Sequence, residues 1–365
     1  MIWMLAVAVL LLAYSNGAND NFKGVATLYG SDVLGYRSAL WLATIATLLG
    51  SLSPLTFGSA LLDNFSGKGL VPDALTADPY FLAAVGLGAA LTVLLATVIG
   101  FPISTTHALL GALVGTGFAR AGFDISFARL GTVFVVPLIG SPFLASMLAS
   151  GQYPAFRSLR RRLGIEATTC ACVGMETVPV SVGIGTAAAS SAITATVGTE
   201  HACAARYEGS FVGVEASSLL NVLHGFSAAA VSFARGVNDT PKIAALLLAA
   251  PLLAPQHGVL IIGLAIAAGG LLHARRVAET MSHRITEMNP GQAFTGNLTA
   301  ALLVLFASRL GLPVSTTHVT CGALFGIGMI TGRARWGTIG QILLAWLITL
   351  PVAAALGAAI ALALS

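Results

Sequence analysis

Pro102-Ile-Ser-Thr-Thr-His107 runs on as Ala-Leu-Leu-Gly-Ala-Leu-Val-Gly115. It returns in the second half of the chain as Pro313-Val-Ser-Thr-Thr-His318, followed by Val-Thr-Cys-Gly-Ala-Leu-Phe-Gly326, and nine of the 14 positions are identical. A second pair lies upstream. Gly17-Ala-Asn-Asp20-Asn-Phe-Lys23 matches Gly236-Val-Asn-Asp239-Thr-Pro-Lys242 at Gly, Asn, Asp and Lys, with the same spacing. One ancestral unit, an aspartate motif followed by a Ser-Thr-Thr-His motif, has been duplicated.

The chain around these motifs is apolar. Of 365 residues, 18 are Lys or Arg and 14 are Asp or Glu. Charged residues make up 9%, against roughly 25% in a soluble domain. With 56% hydrophobic residues and a mean hydropathy of +0.88, the chain cannot cover a water-facing surface. That excludes a cytosolic enzyme, a nucleic-acid binder and a disordered protein. The net charge of +4 is no nucleic-acid signal, because the basic residues gather at the ends of apolar runs. A β-barrel needs alternating strands of about ten residues, and the apolar runs are longer and do not alternate. What remains is an all-α polytopic membrane protein.

Charge-free windows map it: 1–19, 38–62, 79–119, 130–156, 216–234, 243–274, 288–308, 310–332 and 336–365. A spanning helix takes about 20 residues. Window 79–119 holds two passes, split at Gly100-Phe101-Pro102, since helices tend to end before proline. The windows predict 10 to 12 segments, some broken or re-entrant. Window 177–199 is uncharged but rich in Ala, Ser, Thr and Gly, and is not counted as a span. Met1–Tyr14 is read as part of a retained membrane helix, too short to span before Asn16-Gly-Ala-Asn-Asp20 interrupts it. The basic clusters Arg157, Arg160, Arg161, Arg162 and Arg275, Arg276, Arg284 face the cytoplasm under the positive-inside rule. The expected organisation is an N-terminal membrane repeat at 1–156, a central cytoplasmic loop region at 157–210 and a C-terminal membrane repeat at 211–365.

Duplicated halves with helices broken at matching places are the mark of a secondary transporter. Helix ends at the bilayer midplane present free N–H groups and the positive end of the dipole to an anion. Gly17 and Gly236 let the chain turn or let a ligand approach the backbone. Pro102 and Pro313 suit a first helical turn, and the hydroxyls that follow suit a tetrahedral oxyanion. Ionisable groups inside a membrane are costly and mark function. The candidate substrate- and ion-binding residues are therefore Asn19, Asp20, Lys23, Ser104, Thr105 and Thr106 in the first half. In the second they are Asn238, Asp239, Lys242, Ser315, Thr316 and Thr317. At i, i+3, Lys23 and Lys242 reach Asp20 and Asp239, either to neutralise them or to sense substrate.

His107, His318, Arg235 and Arg309 are further candidates, and Asn221 and Asn297 are candidate cavity-lining groups. A Ser-His-Asp hydrolase is disfavoured, because the Ser and His are doubled and no Gly-x-Ser-x-Gly elbow frames either serine. In the central region Cys170, Cys172, His201 and Cys203 offer four soft ligands, which suit zinc, but their one-residue gaps are not a standard finger spacing and free thiols or redox pairing are the ordinary reading.

These motifs resemble those of the inorganic phosphate transporter family, which carries a Gly-Ala-Asn-Asp and a Pro-Val-Ser-Thr-Thr-His motif in each half. The resemblance covers both halves and leaves the central region poorly matched. It implies an inverted-repeat permease of about 12 segments with re-entrant hairpins. It implies phosphate as substrate, with sulfate or another oxyanion as the alternative, driven by sodium or protons. The motif Asn, Asp, Ser and Thr residues would line the anion and cation sites. The chain departs from the family pattern at Asn21-Phe22-Lys23 and Thr240-Pro241-Lys242, where a lysine replaces the usual Asn in both halves, and at Arg235, where the family often has His. This points to proton-coupled or sodium-independent transport. No enzymatic activity and no cofactor are expected. The expected partners are inorganic phosphate, the lipid bilayer, a coupling proton or sodium ion and a second copy of the chain, in the cell membrane.

Overall fold

A computed structural model of the chain describes residues 2–53, 59–183, 186–247, 255–285 and 287–364. Its main elements, in chain order, are α1 (Ile2–Asp20), α2 (Tyr36–Leu52), α3 (Pro79–Ile99), α4 (Thr105–Ala121), α5 (Val136–Arg162), β1 (Thr169–Gly183), β2 (Thr186–Thr199), α6 (Glu200–Arg206), β3 (Phe211–Glu215), α7 (Ala216–Ala244), α8 (Pro255–His273), α9 (Arg275–His283), α10 (Pro290–Arg309), α11 (Thr316–Thr331) and α12 (Trp336–Ala363). Residues 1–152 with 225–365 form one compact unit, and residues 153–224 another.

Among the described residues, seven helical runs are long and apolar enough to cross a membrane: those containing α1, α3, α5, α7, α8, α10 and α12. The shorter α2, α4 and α11 are outside that set, so the described residues give seven candidate spans where 10 to 12 segments were expected. The outer surface stays apolar, with Phe143, Met147 and Leu347 exposed, as a lipid-facing surface is.

Matching breaks organise the larger unit. α3 stops at a left-handed Gly100 (φ 86°), and its repeat counterpart Gly311 (φ 69°) follows α10. Only glycine takes that backbone region freely. Extended segments lead from there to Ser104 and Ser315, the N-caps of α4 and α11. Pro102 and Pro313 therefore lie two residues ahead of the caps, and not in the first helical turn as expected. The serine oxygens supply the cap acceptor, so the helices begin after the serines.

The expected interruption at Asn16–Asp20 does not occur. α1 stays helical through Asp20, and the chain turns over residues 21–25. The polar side chains of this stretch find partners elsewhere in the protein, so its backbone need not unwind. Gly17 and Gly236 serve close packing rather than turning. A Cβ on Gly17 would lie 1.9 Å from the Ile266 carbonyl oxygen of α8, and one on Gly236 would lie 2.2 Å from that of Thr47 in α2. The same exchange recurs further along. Gly115 of α4 is seated on Ala354 of α12, and its counterpart Gly326 of α11 on Ser146 of α5. Each half thus packs its motif helices against long helices of the other half, with small residues admitting the backbone.

The smaller unit carries an antiparallel sheet of order β2-β1-β3. Thr169 pairs with Thr199 and Cys170 with Glu215. Window 177–199, which gave no clear signal in the sequence, contributes the end of β1 and all of β2. Thr199 caps α6 through the Ala202 N–H, and the Glu176–Arg206 ion pair ties α6 to β1.

Candidate functional site

The ends of α1 and α7 and the starts of α4 and α11 bring the motif residues together. Asp20, Lys23, Arg235, Asp239 and Lys242 are each at most 3% exposed. Three cations and two carboxylates leave a formal charge of +1. Burying charge is tolerable only when every group is paired and hydrogen-bonded, and here the pairing is dense.

Lys23 Nζ donates to Asn19 Oδ1 (2.9 Å), to Asp20 Oδ1, to the Ile103 carbonyl (2.6 Å) and to Thr317 Oγ1 (2.7 Å). Lys242 Nζ donates to the Val314 carbonyl (2.6 Å) and to Thr106 Oγ1 (2.8 Å), and lies 3.5 Å from Asp239 Oδ1. Ile103 and Val314 are repeat counterparts, as are Thr106 and Thr317. Each ammonium therefore joins the aspartate of its own half to the threonine of the other. Every hydrogen-bond acceptor given for the two ammonium groups is an oxygen, the ligand type that hard cations take, and Lys242 Nζ also stands over the Phe65 ring.

The two carboxylates meet through Asn16. Its Nδ2 lies 3.1 Å from Asp20 Oδ2 and 3.2 Å from Asp239 Oδ2, and 3.1 Å from Thr105 Oγ1. Asn16 Oδ1 accepts from Arg235 Nη2 at 2.8 Å, and Arg235 Nε stands 3.6 Å from Asp239 Oδ2. Thr105 Oγ1 donates to Asp20 Oδ2 at 3.0 Å. Asn19 Nδ2 donates to Thr97 Oγ1 at 2.9 Å, and Ser308 Oγ donates to Asn238 Oδ1 at 3.1 Å. Thr316, the repeat counterpart of Thr105, is buried at the start of α11.

The structure places the other candidates as follows. Ser104 Oγ accepts the backbone N–H of His107, and Ser315 Oγ that of His318 (3.1 and 3.2 Å). The serines fix the helix starts, and their oxygens do not engage the histidine rings as a nucleophile's would. His107 and His318 face each other with ring centroids 4.4 Å apart, and His318 stacks on Trp346. They lie beside the charged cluster without bonding its carboxylates. Arg309 is exposed at the C-terminal end of α10, where a cation suits the helix dipole, and is outside the cluster. Asn297 is buried but bonds Thr27. Asn221 belongs to the smaller unit.

The four-ligand zinc arrangement is also not formed. Cys172 and Cys203 are joined as a disulfide, and His201 is exposed, outside the group made by Cys170, Cys172 and Cys203.

Asn16 was missed as a site residue. The repeat register holds the signal: Asn16 precedes Gly17 as Arg235 precedes Gly236. Thr97 and Ser308 were missed in the same way, each five residues ahead of its Pro-x-Ser-Thr-Thr-His motif.

The first-turn N–H groups of α4 and α11 have no intrahelical acceptors. Helix N-termini, cations, hydroxyls and amides are the groups with which proteins hold oxyanions. Comparisons with known proteins identify the family. The chain is similar to a protein named as a phosphate permease in Thermococcus kodakarensis, at 27% identity over 98% of this chain and 96% of that one. It is similar to Inorganic phosphate transporter 2-1, chloroplastic, of Arabidopsis thaliana, at 28% identity over 97% of this chain and 71% of that one. A solved structure titled "The sodium-dependent phosphate transporter" shares the fold, with a TM-score of 0.76 and 22% identity over 100% of this chain and 98% of that one. The model of the Phosphate transporter family matches from residue 16 to residue 357, and the chain is a multi-pass membrane protein that belongs to that family.

Proposed function

We propose that the chain is a permease for inorganic phosphate that works without sodium, as a proton-coupled carrier or a uniporter. The observation that carries this is the seating of the Lys23 and Lys242 ammonium groups among Asn, Asp, Thr and backbone oxygens. A free hard cation would need those oxygens, and the tethered ammonium already supplies the charge. The remaining +1 favours an anion. Protonated phosphate can also donate to Asp20 or Asp239, which sulfate cannot. We further propose that residues 1–156 and 211–365 are the two transport repeats in the cell membrane, with 157–210 on the cytoplasmic side. The exposed arginines at the end of α5 support that orientation.

The test is radiolabelled phosphate uptake into proteoliposomes, with sodium exchanged for choline and with or without a pH gradient. Phosphate uptake that persists in choline supports the reading. Uptake that collapses in choline refutes sodium independence, and preferred uptake of sulfate refutes phosphate as substrate.

A further inference from the structure

We propose that Cys170, Cys172 and Cys203, once reduced, form a three-sulfur site for one soft metal ion of the Cu+ class. The site lies wholly within the unit of residues 153–224 and is independent of the phosphate site. Its three sulfurs lie within 4.8 Å of one another. β1 places Cys170 and Cys172 on one face, because alternate residues of a strand point the same way. β2 runs antiparallel beside it, with Gly198 opposite Cys170, and its Thr199 cap starts the helix that delivers Cys203. All three side chains are at most 1% exposed.

Among the described residues of the small unit, the buried cluster is these three cysteines with Tyr207, and Phe211 packs against them. Units of this size commonly need a disulfide or a metal to be stable. In this structure Cys172 and Cys203 are disulfide-bonded, which accounts for two sulfurs. Cys170 remains a buried free thiol, with its Sγ 3.2 Å from that of Cys172. A thiolate so placed would attack the disulfide and reshuffle it, so a cross-link alone has no use for the third sulfur. Three converging sulfurs serve a metal ion.

Tetrahedral zinc takes four ligands, and the fourth candidate, His201, is exposed outside the group. Soft thiolates select Cu+, which is content with three sulfurs. Loading balances as follows. A dithiol reductant gives two electrons and two protons to the Cys172–Cys203 bond and becomes a disulfide. The three thiols then release their protons as the ion binds.

The experiment uses the full-length purified protein, reduced with dithiothreitol, desalted without oxygen and titrated with the Cu+–bicinchoninate complex. The expected result is transfer of one Cu+ per chain. Cys170→Ser keeps both disulfide partners, so its unit can still fold. Its copper affinity should fall at least about tenfold, since even outer-shell changes at metal sites cost that much. Cys321→Ala should bind as the parent does. The proposal is overturned if the reduced parent takes no copper, if Cys170→Ser binds as tightly, if zinc binds and copper does not, or if the cysteines stay unreactive after reduction of the folded protein.

Discussion

Replacing Lys23 by Asn tests whether a side chain stands in for a coupling cation. Lys23 Nζ has four oxygen partners, but most of them keep another bond without it. Thr317 Oγ1 still donates to the Ile103 carbonyl, Asn19 Oδ1 still accepts the Ile103 N–H, and Asp20 Oδ2 retains Thr105 and Asn16. Only Asp20 Oδ1 loses its donor. The cost is therefore mainly that of stranding a buried carboxylate, about 3–5 kcal/mol. The shorter Asn frees an oxygen cage that fits a small hard cation. Sodium at 100 times its dissociation constant would return about 2.7 kcal/mol. Lys23→Asn should then unfold at lower temperature in choline than in sodium, and its phosphate uptake should rise with sodium, while the parent responds to neither. Thermal unfolding and proteoliposome uptake at fixed pH and ionic strength measure both effects. A variant as indifferent to sodium as its parent would refute the cage argument.

Four further outcomes are expected. Asp239→Asn leaves Lys242 and Arg235 without their nearest carboxylate and should abolish uptake with the protein still inserted in the membrane; near-normal uptake removes that carboxylate from transport. Thr316→Val deletes a hydroxyl at the start of α11, so phosphate binding measured by calorimetry should weaken by about 1–3 kcal/mol, roughly five- to 150-fold; unchanged binding moves the anion away from α11. Gly236→Ala forces a Cβ against the Thr47 carbonyl and should cost at least about 1–3 kcal/mol in thermal unfolding, while Gly337→Ala, whose Cβ meets nothing within 4 Å, should cost none. In the smaller unit, hydrogen bonds from Arg206 hold the Glu176 carboxyl below its usual range. Its stabilisation is complete above the unfolded carboxyl's range and fades as pH falls through the lowered value, so protease resistance of the sheet should drop below about pH 4, and Glu176→Gln should flatten that dependence.

The repeat made most of the site legible, because duplication marks positions without needing a second sequence. Asp20, Lys23, Thr105 and their counterparts were found by register, and the structure gathers them. What the motifs could not show was how roles divide inside them. Ser104 and Ser315 look like ligands beside two threonines, yet a helix start claims the first hydroxyl it meets. Arg309 stands four residues before Pro313 as Arg235 stands four before Asp239, but it ends a helix and is exposed. Asn16 is signalled only by its register with Arg235, a different residue type, and it matters through a contact with Asp239 in the other half. The sheet of the smaller unit was hidden for another reason. β2, TAAASSAITATVGT, has weak intrinsic strand preference, so its form comes from pairing with β1.

The exchange of contacts between halves has a consequence for how the protein is made. A ribosome delivers the first half to the bilayer well before the helices that seat Gly17 and Gly115 exist. During that interval Asp20 would be a bare charge in lipid, but Lys23 lies one turn away and pairs with it inside the same segment. Arg235 and Lys242 escort Asp239 in the same way. Each segment thus enters the membrane carrying its own counter-ion, and waits there. The threonine bonds that cross from one half to the other come in turn: Lys242 can reach Thr106 once α7 is made, and Lys23 reaches Thr317 only when α11 follows, so the site is completed late in synthesis.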